Sequence, residues 1–227
     1  MAHPLDNAAW FALTGPQRQF GLVGELCARY RPGISPIAAL AEETDAAFDE
    51  LATITTPGQV IAISCDRTFP ERHWQSIANV PLSQWWQSGA VSADPSSQML
   101  TLGANEREEM LALARLADPG PFELDTWQLG TYYGIRVNGE LVAMAGERMR
   151  LPGYAEVSAV ATRPGHEGRG YAQTLVRALL VKQAAAGERA FLHVRTGSPS
   201  ERGATRVYEK LGFELRTRAI FRVVRRL

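Results

Sequence analysis

Gly168 and Gly170 mark the stretch of this chain whose residue types and spacing most clearly support chemistry. They follow an alternating apolar segment, residues 155–161, and precede a segment with apolar residues at helical spacing, residues 172–180. The first turn of a helix leaves backbone N–H groups without partners, and the helix dipole adds roughly +0.5 charge there. Because glycine has no side chain, an anion can approach the backbone of such a turn closely. The pattern therefore predicts a strand–turn–helix unit that holds a phosphorylated cofactor.

The spacing of these glycines differs from that of two other phosphate sites. The dinucleotide-binding pattern G-x-G-x-x-G fails at its last position, where Gln173 stands. The P-loop pattern needs a Lys directly after its last glycine, and Tyr171 follows Gly170 here. No acidic residue closes a second strand about 20 residues on, as ribose recognition would require. A tight turn without a ligand stays open on spacing alone.

A second segment with the potential for chemistry is ATRVYEKLGF, residues 204–213, which predicts a helix ending near Gly212. Its Tyr208 carries a phenol, and a phenol beside a leaving thiolate can supply the proton that the sulfur needs. The alternative is that Tyr208, Leu211 and Phe213 are core residues around the end of a helix. The segment by itself does not decide between the two interpretations.

Together the two segments resemble motifs A and B of the GNAT superfamily, the acyl-CoA-dependent N-acetyltransferases. Motif A reads Q/R-x-x-G-x-G/A; Gly170 and Ala172 fit it, whereas Glu167 stands where the family has Gln or Arg. Motif B reads A-x-x-x-Y-E-K-L-G-F and matches residues 204–213. The resemblance covers about residues 98–227 and implies the mixed α/β (α+β) sheet of the GNAT-type acyltransferase fold, with Tyr208 as the acid.

The resemblance also implies acetyl-CoA as the donor and assigns residues to it. The backbone at the end of the strand would pair with the pantetheine arm like an added strand, and N–H groups of the turn would bind the pyrophosphate. The side chains of Arg163, His166 and Arg169 would surround that turn and offset the phosphate charge. Glu167 is expected to point away from the phosphates or to pair with an arginine, and Glu201 replaces the family's Asn ahead of motif B. The implied cofactor contacts are Val160, Ala161, Thr162, Glu167, Gly168, Arg169, Gly170, Tyr171, Ala172 and Gln173.

The reaction also needs a base, because an amine attacks a thioester only when it is deprotonated. Glu156 is the first candidate: it lies 14 residues ahead of Gly170, where the histone-acetylating branch of the family carries a catalytic glutamate. Glu147, on the preceding predicted strand, is the second candidate. Either could instead be structural, Glu156 as an exposed strand carboxylate and Glu147 as a cross-strand partner of Arg148 or Arg150. A base that acts only through water also stays open.

The elements that must position these residues alternate along residues 98–227 as β-α-β-β-β-α-β-α-β-β, the pattern of a mixed α/β sheet. Asn138-Gly139 is typical of a two-residue hairpin turn, and Gly187 of the residue that ends a helix. The segment 117–127, ADPGPFELDTW, predicts a loop that could border a substrate. The predicted strands are 99–102, 132–137, 141–149, 155–161, 191–194, 213–217 and 220–224, and the predicted helices are 105–116, the segment after Gly170, and 204–211.

The first 95 residues contain no motif, and they predict a smaller α/β unit of unclear role, which could be a degenerate copy of the second part. Residues 21–29 and 59–64 predict strands, and residues 43–53 predict a helix. The small, polar segment 92–98 predicts the boundary between a first domain, 1–95, and an acetyltransferase domain, 98–227. Trp74, Trp85 and Trp86 are interpreted as packing between the two domains, with an acceptor pocket as the alternative.

Composition narrows the class of protein. Lys and Arg total 24 and Asp and Glu also total 24, so no net field draws the chain to nucleic acid or to a membrane. No apolar run approaches the ~18–20 residues of a spanning helix, and the first residues lack the pattern of a secretory signal. Cys27 and Cys65 are typical of reduced thiols in the cytoplasm. The histidines show no metal-ligand spacing, so no metal is predicted. Five arginines near the C-terminus are interpreted as solvated strand residues: Arg216, Arg218, Arg222, Arg225 and Arg226.

The leading functional hypothesis is therefore a cytoplasmic N-acetyltransferase, monomeric or homodimeric, that transfers an acetyl group from acetyl-CoA to the primary amine of a small molecule or peptide. Two other classes stay open. One is a non-catalytic acyl-CoA-binding module that senses the cofactor or contacts a partner. The other is an acyltransferase with a longer acyl donor or an O-linked acceptor.

Overall fold

The structure is a computed structural model that describes residues 3–89 and 99–227. The described strands form one mixed sheet of eleven strands. These strands are β1 (Gly21–Val23), β2 (Cys27–Tyr30), β3 (Ile37–Leu40), β4 (Val60–Ser64), β5 (Trp74–Gln87), β6 (Met99–Leu102), β7 (Tyr132–Val137), β8 (Glu140–Leu151), β9 (Tyr154–Thr162), β10 (Arg189–Arg195) and β11 (Phe213–Arg226). The helices are α1 (Ala8–Thr14), α2 (Asp45–Thr53), α3 (Arg107–Ala117), α4 (Tyr171–Ala185) and α5 (Glu201–Lys210), with short 3-10 turns at Pro4–Asn7, Arg18–Phe20, Ala104–Glu106 and Thr126–Leu129.

The order of the strands across the sheet is β1-β2-β3-β4-β11-β5-β10-β9-β8-β7-β6. The last strand of the chain, β11, lies between β4 and β5 and pairs antiparallel with both. Strand β5 pairs in turn with β10, so the first and second parts of the chain share one sheet. The predicted boundary at 92–98 lies outside the described residues. The division into two domains stays a prediction, and the first part is not confirmed as a degenerate copy of the second.

Helices cover both faces of the second part of the sheet. Along β8, Ala143 and Ala145 pack into the hydrophobic cluster of α4 and α5, whereas Met144 between them packs into the cluster of α3. Along β10, Leu192 belongs to the α4 cluster and Phe191 to the cluster of α1. Because successive strand residues point to opposite faces, α4 and α5 cover one face, and α1 and α3 cover the other. We call these the α4 face and the α1 face.

Several turns have the backbone that their residues predict. Asn138 and Gly139 both have positive φ, 52° and 84°, as the two-residue hairpin between β7 and β8 requires. Gly187, with φ 72°, follows the end of α4. The segment between α3 and β7 is a loop with one 3-10 turn, as the sequence predicts. The mixed α/β sheet of the second part is confirmed.

Two predictions about elements are wrong, and one long strand was not predicted. Residues 213–217 and 220–224 are not two strands but one, β11, with an irregularity between Leu215 and Thr217 where it follows β5. Residues 21–29 are two strands, β1 and β2, joined as a hairpin. The three tryptophans lie on one long strand, β5, that alternation did not reveal, because long stretches of it are polar and exposed. They pack into three different clusters and form no common pocket wall: Trp74 with α2, Trp85 with α4 and Trp86 with α1.

Within the part of the chain that the structure describes, no helix is long and apolar enough to cross a membrane.

Candidate active site

The neighbouring parallel strands β9 and β10 separate near the middle of the sheet. Their pairing covers only three residue pairs and ends at Glu156 and Phe191, although β9 continues to Thr162 and β10 to Arg195. Ala159 causes the divergence: its φ of 51° coincides with a register shift against β8, which is a β-bulge that bends the strand. The backbone of β9 beyond the bulge is therefore free of β10 and can pair with an extended ligand.

The residues predicted to hold the pantetheine arm lie on this free edge. Val160 and Thr162 are half-buried, and Ala161 is buried in the cluster of α3. The Ala161 side chain is thus committed to the core, and only its backbone is available to a ligand. This agrees with the backbone role that the sequence assigns to all three residues, which stays a prediction.

The glycine turn leads directly into α4. Gly168 and Gly170 have φ of 74° and 82°, and a Cβ added at either would meet no atom within 4 Å. Gly170 is the residue before the helix, no side chain caps it, and the first helical hydrogen bond runs from Thr174 N–H to Gly170 O. The N–H groups of Tyr171, Ala172 and Gln173 therefore have no helical acceptor, and they lie at the positive end of the helix dipole. The turn is an open cradle for an anion.

Three charged side chains around the turn have protein partners. The exposed Glu167 carboxylate accepts a hydrogen bond from Gly165 N–H at 2.6 Å, so it bonds the backbone of the turn. Arg169 donates to Gly165 O at 3.4 Å, and Arg163 pairs with Glu140 at 3.2 Å. Glu167 thus has a partner in the loop ahead of the glycines, and the backbone donors of α4 are not capped by it.

Tyr208 lies on α5, on the α4 face. Its ring packs against Phe213 at 5.8 Å, and it shares a hydrophobic cluster with Val157 of β9 and Val194 of β10, the two strands that separate. Burial raises the pKa of its phenol to about 12. The hydroxyl therefore stays protonated at neutral pH and can donate a hydrogen bond or a proton.

Glu147 points to the α4 face, and its partners are structural. Lys182 of α4 donates to both carboxylate oxygens at 3.0 Å, Thr131 N–H donates at 2.9 Å, and Gln183 and Arg150 donate at 3.1 Å. Burial alone would raise the pKa of this carboxyl, but the hydrogen bonds and the Lys182 charge lower it. Glu147 connects the last turns of α4 to β8, away from the glycine turn at the start of that helix.

Glu156 points to the α1 face and is completely buried. Arg148 on β8 donates to its two oxygens at 2.7 and 2.8 Å, which forms a bidentate ion pair. Burial would raise the pKa of Glu156, but the Arg148 guanidinium and a hydrogen bond from His193 outweigh it and lower the pKa to about 2. The alternative interpretation of Glu156, an exposed strand carboxylate without a catalytic role, is wrong about its exposure. It is an ionised group inside the protein.

His193 on β10 completes this group, and the sequence analysis missed it because it tested the histidines only for metal spacing. Its Nδ1 lies 2.8 Å from Glu156 Oε1, and its Nε2 lies 3.1 Å from the Gln84 side-chain nitrogen. The signal was available in the strand pattern FLHVR, where His193 alternates with Leu192 and Val194 and so lies on the face opposite α4.

A cavity of about 210 Å³ adjoins this histidine on the α1 face. The N-terminal turn and α1 form one wall, β11 forms another, and His193 and Gln84 lie between them. The lining is mixed, with charged side chains such as Asp6, Asp66 and Arg218 among apolar ones such as Ala219 and Phe221. The arrangement brings an imidazole, oriented by an ionised carboxylate, to the wall of a cavity on the α1 face.

Comparison with known proteins identifies relatives of this chain. The chain matches the family described as FR47-like protein over residues 132–222. It is 35% identical to a protein assigned to the GNAT acetyltransferase family from Novosphingobium aromaticivorans DSM 12444, with a TM-score of 0.90 and 100% of both chains covered. A GCN5-related N-acetyltransferase from Kribbella flavida (19% identity, TM-score 0.58, 96% of this chain and 95% of that one) and a GCN5-related N-acetyltransferase-like protein from Streptococcus suis 89/1591 (16%, 0.57, 97% and 92%) share the fold. No curated protein matches the chain.

Proposed function

The chain belongs to the GNAT family of acetyltransferases, and we propose that it transfers an acetyl group from acetyl-CoA to the primary amine of a small molecule or peptide. When bound, acetyl-CoA supplies the acyl group as a thioester, which an amine can attack. The residues of this chain bind that group, orient it and move the protons. The observation that carries the proposal is the free edge of β9 next to the uncapped, glycine-lined start of α4.

The donor site fits a long ligand with a phosphate group at one end. The β9 edge beyond Ala159 offers backbone N–H and C=O groups to an extended arm. The turn offers backbone N–H groups to a pyrophosphate, and the open space over Gly168 and Gly170 admits it. The Glu167 carboxylate leaves those donors free, because it bonds to Gly165. We therefore assign Val160 through Thr162 and the turn through Gln173 to the donor.

Tyr208 is the proposed acid. Its phenol lies in the cluster that contacts both parted strands, and with a pKa raised to about 12 by burial it is protonated at any physiological pH. A protonated donor at this position stabilises a thiolate as it leaves. This is the role that the sequence predicts for Tyr208, and it does not depend on the identity of the amine.

Of the two carboxylates predicted as the base, Glu156 is the better candidate. It lies at the point where β9 and β10 separate and has His193 as a partner, whereas Glu147 is committed to Lys182 and the end of α4. We assign Glu147 to the positioning of α4. Glu156 is completely buried, so it acts on an acceptor through another group. The cytoplasm is the proposed location, in keeping with two buried free thiols.

Calorimetric titration with acetyl-CoA tests the donor site. We expect micromolar binding by the wild-type protein and its loss in Gly170→Glu, because that change places a carboxylate where the pyrophosphate binds. Gly187→Glu is the matched control: Gly187 also has positive φ and open space around its Cβ position, but it lies at the opposite end of α4. The control should bind like wild type. Absence of binding by the wild-type protein would exclude the proposal.

Thiol release then tests the donor and the reaction. With a panel of primary amines, release should be fastest from acetyl-CoA and slower from acyl-CoA donors with longer chains. Faster release from a longer chain would assign a different acyl donor. Binding without release from any donor would favour a cofactor-sensing module over an enzyme.

A further inference from the structure

We propose that His193 is the catalytic base of this site, with Glu156 as its positioning residue, and that the acceptor amine reaches it through the cavity on the α1 face. The inference rests on the proposed acetyl transfer and adds to it a residue that the sequence did not indicate. It also resolves how a buried, ion-paired carboxylate can serve the removal of a proton.

The position of His193 in the sheet puts it beside the reaction. Phe191 is the last residue of β10 that pairs with β9, and His193 comes two residues later, on the same face. Its side chain is only 7% exposed, and its ring packs edge-on against Phe191 and Phe221. The imidazole is thus held rigidly at the start of the gap between the two strands, on the side from which Tyr208 is absent. Acid and base lie on opposite faces of the parted strands.

The partners of His193 fix which ring nitrogen carries the proton. Glu156 is held ionised by Arg148, and an ionised carboxylate only accepts hydrogen bonds. Nδ1, 2.8 Å from Glu156 Oε1, is therefore the N–H donor. In neutral imidazole the other nitrogen then carries the lone pair. The carboxylate thus makes Nε2 the basic atom and stabilises the imidazolium that forms when Nε2 takes a proton.

Gln84 occupies the place of the acceptor in the free protein. Its side-chain oxygen accepts from Arg216 at 2.7 Å, and its nitrogen donates to Leu5 O at 2.9 Å. The hydrogen-bond network thereby assigns the NH2 group to the side of His193, 3.1 Å from Nε2. An N–H of the incoming amine replaces this Gln84 N–H at Nε2. Both residues line the cavity, so an amine there reaches Nε2 once the Gln84 side chain turns away and gives up its contacts with Leu5 and Arg216.

Charged groups face His193 from each element packed around it. Glu156 and Arg148 come from β9 and β8, and Arg216, paired with Asp6, comes from β11 and the N-terminal turn. The Tyr30 hydroxyl of β2, bonded to Gln17, lies in the same buried region. Three further charged residues, Glu43, Asp66 and Arg218, line the cavity. The nearest charges form two ion pairs, and the Glu156 carboxylate, which Arg148 also contacts, is the negative group that faces an imidazolium at His193.

The proposed transfer starts from the uncharged amine. Its nitrogen lone pair forms the new C–N bond to the acyl carbon, and His193 Nε2 takes the one proton that this nitrogen loses. The C–S bond breaks, its electron pair stays on sulfur, and Tyr208 donates a proton there. The imidazolium then returns its proton to solvent through the cavity, and the Tyr208 phenolate takes one up. The net products are the amide and the free thiol.

The test compares His193→Gln with His73→Gln. Glutamine keeps a polar group at the position of Nε2 but cannot take up a proton, and His73 lies far from this site in an exposed pair with Asp49. The rate is measured as thiol release from acetyl-CoA with 1,4-diaminobutane and with water alone as the nucleophile, since the same base activates both. We expect His193→Gln to lower kcat by about 100-fold or more, with acetyl-CoA affinity unchanged. His73→Gln should match wild type.

The pH profile separates a base from a structural role. The wild-type rate should rise with pH through an ionisation that His193→Gln lacks and His73→Gln retains. Loss of activity through loosened packing would instead lower the rate equally at all pH values. A His193→Gln enzyme with the wild-type rate, or with the wild-type pH profile, would overturn the inference and leave the proposed function intact. Failure of the wild-type protein to bind acetyl-CoA would overturn the proposed function itself.

Nitrogen NMR of the free wild-type protein gives a readout that needs no turnover. Among the histidine signals, the one missing from His193→Gln belongs to His193. It should show a proton on Nδ1 and a lone pair on Nε2. A proton on Nε2 instead would rule out this nitrogen as the base.

Discussion

Arg148 and Glu156 face each other across β8 and β9 and form a bidentate ion pair, with distances of 2.7 and 2.8 Å, inside the protein. The Glu156 side chain is completely buried and that of Arg148 is 10% exposed. Each charge is stable there only because the other is present, since an isolated buried charge costs several kcal/mol. The pair thus links the stability of the sheet to the orientation of His193, which bonds to the same carboxylate.

Acid should weaken the fold through Glu156. Its pKa of about 2 lies below the ordinary value of 4.5, so the unfolded chain binds this proton more readily than the folded one. The stabilisation is therefore complete above about pH 4.5 and is lost as the pH falls towards 2. Urea unfolding at several pH values should show the midpoint decreasing over this window. Glu156→Gln leaves the buried Arg148 without its counter-charge, so the free energy of unfolding at pH 7 should fall by about 3–5 kcal/mol. The stability of this variant should also depend less on acid pH than that of the wild type. Equal midpoints for variant and wild type at pH 7 would refute this.

Loss of Lys182, whose partner carboxylate is buried, should destabilise the protein more than loss of an arginine whose partner carboxylate is exposed. Lys182→Met removes one of the two cations that pair with the buried Glu147 and leaves Arg150, and we expect a cost of about 1.5–3 kcal/mol. The matched change is Arg136→Met, which removes the cation of the more exposed pair with Glu109 and should cost no more than about 1 kcal/mol. Denaturant unfolding measures both. Similar costs would mean that the contacts of Glu147 with Thr131 and Gln183 suffice without Lys182.

Removal of the Tyr208 hydroxyl should affect turnover and leave binding intact. Tyr208→Phe keeps the ring in its apolar cluster but removes the proton donor, so kcat should fall about 100-fold or more while the acetyl-CoA dissociation constant stays the same. Because the pKa of the phenol is about 12, the wild-type rate should show no loss from its ionisation up to about pH 10. Thiol release and calorimetry measure the two quantities. A variant as active as wild type would remove Tyr208 from the mechanism.

Gly146 should tolerate no side chain, in contrast to Gly203. A Cβ at Gly146 would lie 2.2 Å from the ring of the buried Tyr132, so Gly146→Ala should cost about 1–3 kcal/mol through overpacking. At Gly203, within α5, a Cβ would meet no atom within 4 Å. Gly203→Ala should therefore stabilise the protein by about 0.5–1 kcal/mol, because alanine favours a helix. Thermal unfolding measures the stability of both variants. A Gly146→Ala variant as stable as the wild type would mean that the Tyr132 ring moves aside easily.

Local sequence signals were reliable where the structure depends on neighbours in the chain. The start of α4 after Gly170, the hairpin at Asn138-Gly139 and the helix that carries Tyr208 follow from turn chemistry and helical periodicity within a few residues. The proposed donor half of the site is built from such units. For this reason the glycine turn, the strand before it and the family could all be predicted from the sequence.

The proposed acceptor half of the site could not be predicted, because its contacts join distant parts of the chain. His193 meets Gln84, which is 109 residues away, and Gln84 meets Arg216, which is 132 residues away. These contacts exist because β5 inserts between β10 and β11, and no local pattern encodes that order of strands. The sequence alone determined the glycine turn before α4 and the position of Tyr208, the proposed acid. Only the tertiary structure decided that Glu156 is buried against Arg148 and that an imidazole lies between it and the cavity, since burial and ion pairing depend on which strands meet.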